Sequence, residues 1–413
     1  MTNSPLQLNR TTGYVQLNPR DPRFFNNPYP VYEELRQHAP IFYWEAFGFT
    51  CFVNHEDVAT LFRDRRFGRQ ILHLATREEL GWPPEREALR PFYDVDKHSL
   101  LDLEPPDHTR LRRLIQKAFL ARKIERLRGR VASLTHQLID EMEPAGQANL
   151  LEKFATTIPL NMIAELLGVP TENGDDLLNW SHAMVAMYEL ATTPQQEQKA
   201  VQAAQDFVAY LKDYVKFRRQ NPQDDLITRL IEAEEEGEKL SEDELITTCI
   251  LLLNAGHEAT VNVIGNGVYA LLKHPDQMQL WRENVGMSET AVEELLRYDT
   301  PLHLFTRWAL EDVTYKGHHF PFGTKIALLL GAANRDPAAF AQPDTLNLTR
   351  SKNPHVSFGG GIHYCIGVPL ARLELQTALP ILLQRLPNLT LVQEPSFKNS
   401  YHFHGLESLQ VAW

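Results

Sequence analysis

The ten residues Phe358 to Gly367, FGGGIHYCIG, hold the densest set of chemically capable side chains in the sequence. Three consecutive glycines allow close backbone approach or positive φ. Cys365 follows, then Gly367 and Pro369, then an apolar-striped run, ARLELQTALPILLQRL, that reads as a helix. Backbone N–H groups at a helix start stabilise a thiolate and lower its pKa, so Cys365 is a candidate nucleophile or metal ligand. The plain alternative is a buried cysteine beside a glycine turn. A cysteine hydrolase would also need a histidine and an orienting Asn or Asp, and His363 stands two residues away. Zinc would need more ligands, and no second cysteine is near.

A second constellation lies in Ile246 to Leu272, ITTCILLLNAGHEATVNVIGNGVYALL. The stretch is long enough to span a bilayer, but His257 and Glu258 sit at its centre and ionisable groups are costly in lipid. It reads as the buried central helix of a protein without a membrane span. Read by itself, Glu258 pairs with a surface arginine, although the middle of so apolar a helix makes that less attractive.

Helices position both constellations. Expected are Pro30–His38, Pro105–Ala121, Asn149–Leu167, Glu172–Leu190, Pro194–Gln220, Ser241–Leu272, Ser288–Tyr298 and Pro369–Gln384. Ser241 and Glu244 form a capping box at the start of the longest. Strand signals are fewer: Phe42–Val53 turning at Gly48, Phe305–Ile326 turning at Lys316-Gly317 and Phe322-Gly323, and a late pair, Leu389–Val392 with Leu409–Trp413. The fold class is mainly α with small peripheral β-sheets. No repeat or linker divides the 413 residues, so residues 1–413 read as a single domain.

Composition narrows the function classes. Lys plus Arg is 41 and Asp plus Glu is 53, a net charge of −12, which argues against nucleic acid as the main partner. Three cysteines without a CxxC pair make no disulfide framework and suit a reducing compartment. The first residues have no apolar core after a basic head, so no signal peptide is read and the expected location is cytoplasmic.

A haem iron needs only one axial thiolate from the protein, which a lone cysteine supplies. The run FGGGIHYCIG, with the VPLARLE that follows, resembles the cysteine loop of the cytochrome P450 family, soluble bacterial type. The resemblance covers nearly the whole chain. It implies the cytochrome P450 fold, with haem b (iron protoporphyrin IX) between the long central helix and the cysteine-loop helix, and Cys365 as the metal ligand. Phe358, Gly359 and Gly367 shape the thiolate's surroundings. Glu294 and Arg297 match the family's Glu-x-x-Arg pair. Relatives often carry an arginine where this chain has Thr345, so the third member falls to Arg335 or Arg350. Ala255 and Gly256 match the oxygen-activation segment, where Gly256 would let the helix widen and Glu258 would feed protons, directly or through water, to the oxygen. His108, Arg112, Arg307 and His355 match haem-propionate ligands.

One departure concerns catalysis. Relatives place threonine directly after the acid; here Ala259 follows Glu258 and Thr260 comes one later. One residue on a helix is a rotation of about 100°. Local unwinding could bring Thr260 round, an ordered water could replace its hydroxyl, or a substrate hydroxyl could take its role. The candidate catalytic segment is therefore Glu258, Ala259 and Thr260.

The implied activity is monooxygenation: one atom of O₂ enters a mostly hydrophobic small molecule, with hydroxylation as the outcome. Phe92, Tyr93, Leu253, Leu302, Phe305 and Phe403 are candidate pocket walls, with Met184 and Met187 on the lid helix. A terpenoid, steroid, polyketide or fatty acyl substrate fits equally. Electrons would come from a separate iron–sulfur ferredoxin and its reductase, docking near Arg110, Arg113 and Lys117, with Arg122 and Lys123 beside them. The competing readings are a peroxide-using or coupling haem-thiolate enzyme and a haem sensor without turnover.

Overall fold

The computed structural model describes residues 4–118, 124–170, 173–189, 192–235 and 237–413. The chain gathers into two compact units, neither continuous in sequence. Met1–Phe67, Gly129–Thr157 and Ala259–Trp413 form the first; Gly68–Arg128 and Ile158–Glu258 form the second. Such interleaving leaves no compositional break of the kind a linker would make.

The first unit is built on a sheet of β1 (Gln7–Asn9), β2 (Tyr14–Gln16), β3 (Ile41–Trp44), β4 (Phe49–Phe52), β5 (Phe67–Gly68), β6 (Leu304–Ala309) and β7 (Lys325–Leu329). Their order is β1-β2-β3-β4-β7-β6-β5. The hairpin β3–β4 turns at Gly48, whose φ of 71° is left-handed, as the turn signal predicts. Strand alternation feeds two cores. Phe42, Trp44, Cys51 and Leu329 face one way, against Phe24, Tyr32 and Tyr401. Phe52, Ile326 and Leu328 face the other, against Leu61 and Phe320. Val313–Tyr315 and His318–Phe320 form the hairpin predicted at Lys316-Gly317.

Most predicted helices are present. Tyr29–His38, Pro194–Gln220, Ser288–Tyr298 and Val368–Arg385 lie within a residue or two of expectation. The long helix runs unbroken over Glu242–Lys273. Its capping box is formed: Ser241 N–H donates to Glu244 Oε2 at 2.8 Å and Glu244 N–H to Ser241 Oγ at 3.2 Å. Among the described residues, no helix is long and apolar enough to cross a membrane.

Three expectations change. The helix at residue 105 begins only at Asp107, after two prolines, and is described to Ala118; Arg122 and Lys123 lie outside the described residues. Asn149 does not open a helix. Gln147–Asn149 is a strand beside Gln410–Ala412, which pairs Thr390–Leu391 on its other edge. The helix proper starts at Thr157, after a π turn at Leu151–Ala155. The helix expected from residue 172 is described as Gly174–Val185, followed by the 3₁₀ turn Ala186–Tyr188. A further helix, Arg128–Met142, was not anticipated, although its buried Val131, Leu134, Leu138 and Met142 repeat at helical steps.

Candidate functional site

In the first unit, Cys365 sits on an exposed loop whose ends are tied together. Its N–H donates to Phe358 O at 3.1 Å, and Gly359 N–H donates to Val356 O at 2.8 Å. Gly361 has φ of 68°, and a Cβ there would collide with the Phe62 carbonyl oxygen, so the loop presses against that backbone. Gly367 is the N-cap of the helix Val368–Arg385, which puts the thiol at a helix N-terminus, where a thiolate is stabilised. A Cβ at Gly367 would stand 3.7 Å from the sulfur. The other two cysteines, Cys51 and Cys249, are buried, and burial pushes both thiols up, Cys249 to about 12.

The loop is braced by Glu293, which the sequence reading passed over. Arg372, on the cysteine-loop helix, makes two bonds of 2.7 Å to the Glu293 carboxylate. The Arg372 guanidinium also lies 5.3 Å from the centre of the Phe358 ring. His355 Nε2 donates to Glu293 Oε2 at 3.0 Å, and its Nδ1 accepts from Ser357 N–H at 3.3 Å. Both nitrogens of His355 are thus committed within the protein. Through Glu293, His355 anchors the loop. Burial raises the Glu293 pKa, but the bonds from His355 and Arg372 outweigh it and hold the carboxyl at about 2. Glu293 is adjacent to Glu294, and nothing in their order told the two apart.

Glu294 and Arg297 pair fully buried, through two bonds of 2.8 Å. The open question of the third member resolves to Arg350, whose Nε lies 3.0 Å from Glu294 Oε2. Arg335 instead bonds Tyr298 O and Asp344, stacked between Tyr29 and Tyr298. Thr345 contributes only its carbonyl, which accepts from Arg297 at 3.2 Å.

The second unit carries the acid. Glu258 Oε2 lies 3.4 Å from His182 Nε2 and 3.7 Å from His257 Nε2, and the two imidazole nitrogens are 3.4 Å apart. Two histidines thus stand beside the acid. His257 was legible as the residue before the acid; His182, on the helix Gly174–Val185, carried no signal. The backbone is α-helical through Glu258, Ala259 and Thr260, so local unwinding is not what the helix does. Gly256 does not widen it either. A Cβ there would stand 3.0 Å from the Ile163 side chain, so the glycine permits close packing with the helix Thr157–Leu167. Met184 is buried, its sulfur 3.9 Å from Asn254 Nδ2, as core packing would have it.

Other expected residues sort by unit. His108 and Arg112 share a face of the helix Asp107–Ala118, one turn apart, with His108 buried. Phe92 and Leu253 are buried, and the Phe92 and Tyr93 rings meet edge to face. In the first unit, Leu302 bridges Phe403, and the His402 ring packs on Phe403 and Phe305, so three candidate walls come together. Arg307 is buried, 5.1 Å from the Phe62 ring centre. Arg113 and Lys117 are exposed, one turn apart. Arg110 is half-buried, and its guanidinium pairs with Glu244.

In the first unit, the donor set suits a haem iron. The donor set is a single exposed thiol at a helix N-terminus. Midway along a largely buried helix, Ala255 and Ala259, one turn apart, are exposed and half-buried, leaving a low face suited to a flat ring.

Comparison with known proteins agrees. The cytochrome P450 family model matches residues 84–407. The chain is 39% identical over 410 residues to the polyketide biosynthesis cytochrome P450 PksS of Bacillus subtilis, covering 96% of this chain and 98% of that one. It is 40% identical over 343 residues to mycinamicin IV hydroxylase/epoxidase of Micromonospora griseorubida, covering 82% of each. The crystal structure of P450BioI with an acyl carrier protein bearing hexadec-9Z-enoic acid superposes with a TM-score of 0.88 at 35% identity, covering 95% of this chain and 99% of that one. The chain belongs to the cytochrome P450 family. It is a haem-thiolate monooxygenase, and its cofactor is haem b.

Proposed function

We propose that this cytochrome P450 hydroxylates a mostly hydrophobic small molecule, with electrons from a separate iron–sulfur ferredoxin and its reductase. The observation that carries the reading is the cysteine loop: one thiol, tied by its own N–H to Phe358 O and set at a helix start. Bound there, haem supplies the activation of O₂ that the side chains cannot supply themselves. Cys365 would hold it as thiolate, with His108, Arg112 and Arg307 as cationic or hydrogen-bonding partners for its propionates. Braced through Arg372 and Glu293, the Phe358 ring supports the loop from within. Glu258 would hold a proton at its carboxylate and release it towards the reacting oxygen. Thr260, rotated by about 100° from the position directly after the acid, would leave that delivery to Glu258 with water or a substrate hydroxyl.

Leu302, Phe305, His402 and Phe403 would offer the substrate an apolar wall with one polar group. The names of the relatives, polyketide biosynthesis among them, favour a polyketide or long acyl chain over the other hydrophobic classes. The ferredoxin would dock near Arg110, Arg113 and Lys117, a basic face that suits an acidic partner.

The test is the absorbance of the purified protein, reduced and under carbon monoxide. A Soret band at the thiolate-ligated position is expected, lost in Cys365→Ala. A colourless protein, or a band typical of histidine-ligated haem, would overturn the assignment. Turnover of polyketide and acyl substrates with a ferredoxin–reductase pair, compared with hydrogen peroxide alone, then separates the proposed electron route from peroxide use.

A further inference from the structure

Among the described residues, two places bring three metal-ligating side chains within mutual reach: Asp299 with His303 and His404, and His182 with His257 and Glu258. The first is closed by its own hydrogen bonds. His404 Nδ1 lies 2.9 Å from Asp299 Oδ1 and its Nε2 lies 3.1 Å from Phe25 O. Both ring nitrogens therefore face acceptor atoms of the protein rather than an open position.

The second place is arranged differently. Ligands in a tetrahedron at about 2.0–2.1 Å from zinc stand about 3.3–3.4 Å from one another. The three ligand atoms here, His182 Nε2, His257 Nε2 and Glu258 Oε2, are separated by 3.4, 3.4 and 3.7 Å. Those separations are long for hydrogen bonds, whose usual limit is about 3.2 Å. One N–H on His182 Nε2 can serve only one of its two neighbours, whereas a central cation would serve all three. The tautomer is also set: His257 Nδ1 lies 3.2 Å from Leu253 O, and donating there turns the Nε2 lone pair towards the cluster. An entry path exists, because the His182 side chain is 51% exposed while His257 and Glu258 are buried.

We propose that His182, His257 and Glu258 form a binding site for one divalent transition-metal ion of the zinc class, with the fourth position left to water. Two imidazoles and a carboxylate suit Zn²⁺ or Cu²⁺ and not Mg²⁺ or Ca²⁺. The ion is distinct from the haem iron, which Cys365 takes. Its consequence for turnover rests on the reading of Glu258 as proton carrier: a carboxylate held by zinc cannot carry a proton, so zinc inhibits.

The experiment uses tag-free holoenzyme, stripped with chelator and dialysed against Zn²⁺, with metal analysis, binding titration and zinc-edge X-ray absorption. One zinc per chain is expected, bound by nitrogen and oxygen with an imidazole signature. His182→Ala, at a half-exposed position, and the near-isosteric Glu258→Gln should each weaken binding at least ~10-fold. Absence of stoichiometric zinc, a sulfur-ligated spectrum, or variants that bind like the wild type would overturn the site. If zinc binds as described and turnover is unchanged, the site stands and the role given to Glu258 falls.

Discussion

Thr260 shows how one residue of displacement acts on chemistry. It is buried on an unbroken helix, one position beyond the acid's immediate neighbour. Thr260→Ala should therefore change the fraction of electrons recovered in product by less than about twofold, whereas Glu258→Gln should slow turnover about 10²-fold or more, the usual worth of a positioned general acid. Product formed per reductant consumed, measured for both, decides it; a Thr260→Ala variant that loses most of its coupling would defeat the rotation argument. Glu374 makes a second case at this scale. It is fully buried, and among the described residues neither carboxylate oxygen has a hydrogen-bond partner. Burial pushes its carboxyl well above the usual range. The folded state therefore binds a proton that the unfolded state releases above its pKa near 4.5, and stability falls as pH rises beyond that point. Glu374→Gln, which cannot ionise, should melt higher than wild type at pH 8 and equal to it near pH 4. Equal melting at both pH values would show that Glu374 is not a buried neutral acid.

At the scale of elements, the long helix is set by close packing as much as by its own periodicity. Gly256 brings it against Ile163, with 3.0 Å from a would-be Cβ to the Ile163 side chain. Gly256→Ala should destabilise by about 1–3 kcal/mol through overpacking, and Ile163→Val in the same chain should recover part of the loss. Denaturant titration of the two variants and their combination measures the coupling; simple additivity would mean that the two side chains do not meet. The cysteine loop depends on a different kind of contact, since Gly361 passes close to the Phe62 backbone, which cannot yield.

For the whole molecule, a large polar commitment lies in the first unit, where Glu294 gathers Arg297 from its own helix and Arg350, Asn353 and the Asn347 N–H from one distant segment. Arg297→Ala leaves a fully buried carboxylate with its principal partner gone and should cost about 3–5 kcal/mol. Arg350→Ala removes the charge-assisted bond to Glu294 together with exposed bonds to the Ala341 and Gln342 carbonyls and should cost about 1.5–3 kcal/mol. Urea midpoints and haem retention on gel filtration read both; an Arg350→Ala loss as large as that of Arg297→Ala would reverse their ranking.

Much of this was legible from residue order. The cysteine loop, the Glu294–Arg297 pair at helical spacing and the capping box at Ser241 are local patterns, in which partners three or four residues apart meet whenever the helix forms. The hairpin at Gly48 is local too, because only the turn residue must tolerate positive φ. Short strands such as Gln147–Asn149 were not legible, because three residues hold no periodicity and their partner lies at the far end of the chain. The same limit governed the site. The sequence alone determined the thiol, the acid and the displaced threonine, since each is a matter of type and spacing. Only the tertiary structure decided that Arg350 completes the Glu294 cluster, that His355 turns to Glu293, and that His182 stands beside His257 and Glu258. Each of those joins side chains more than fifty residues apart, and a contact at that separation is set by how the elements pack.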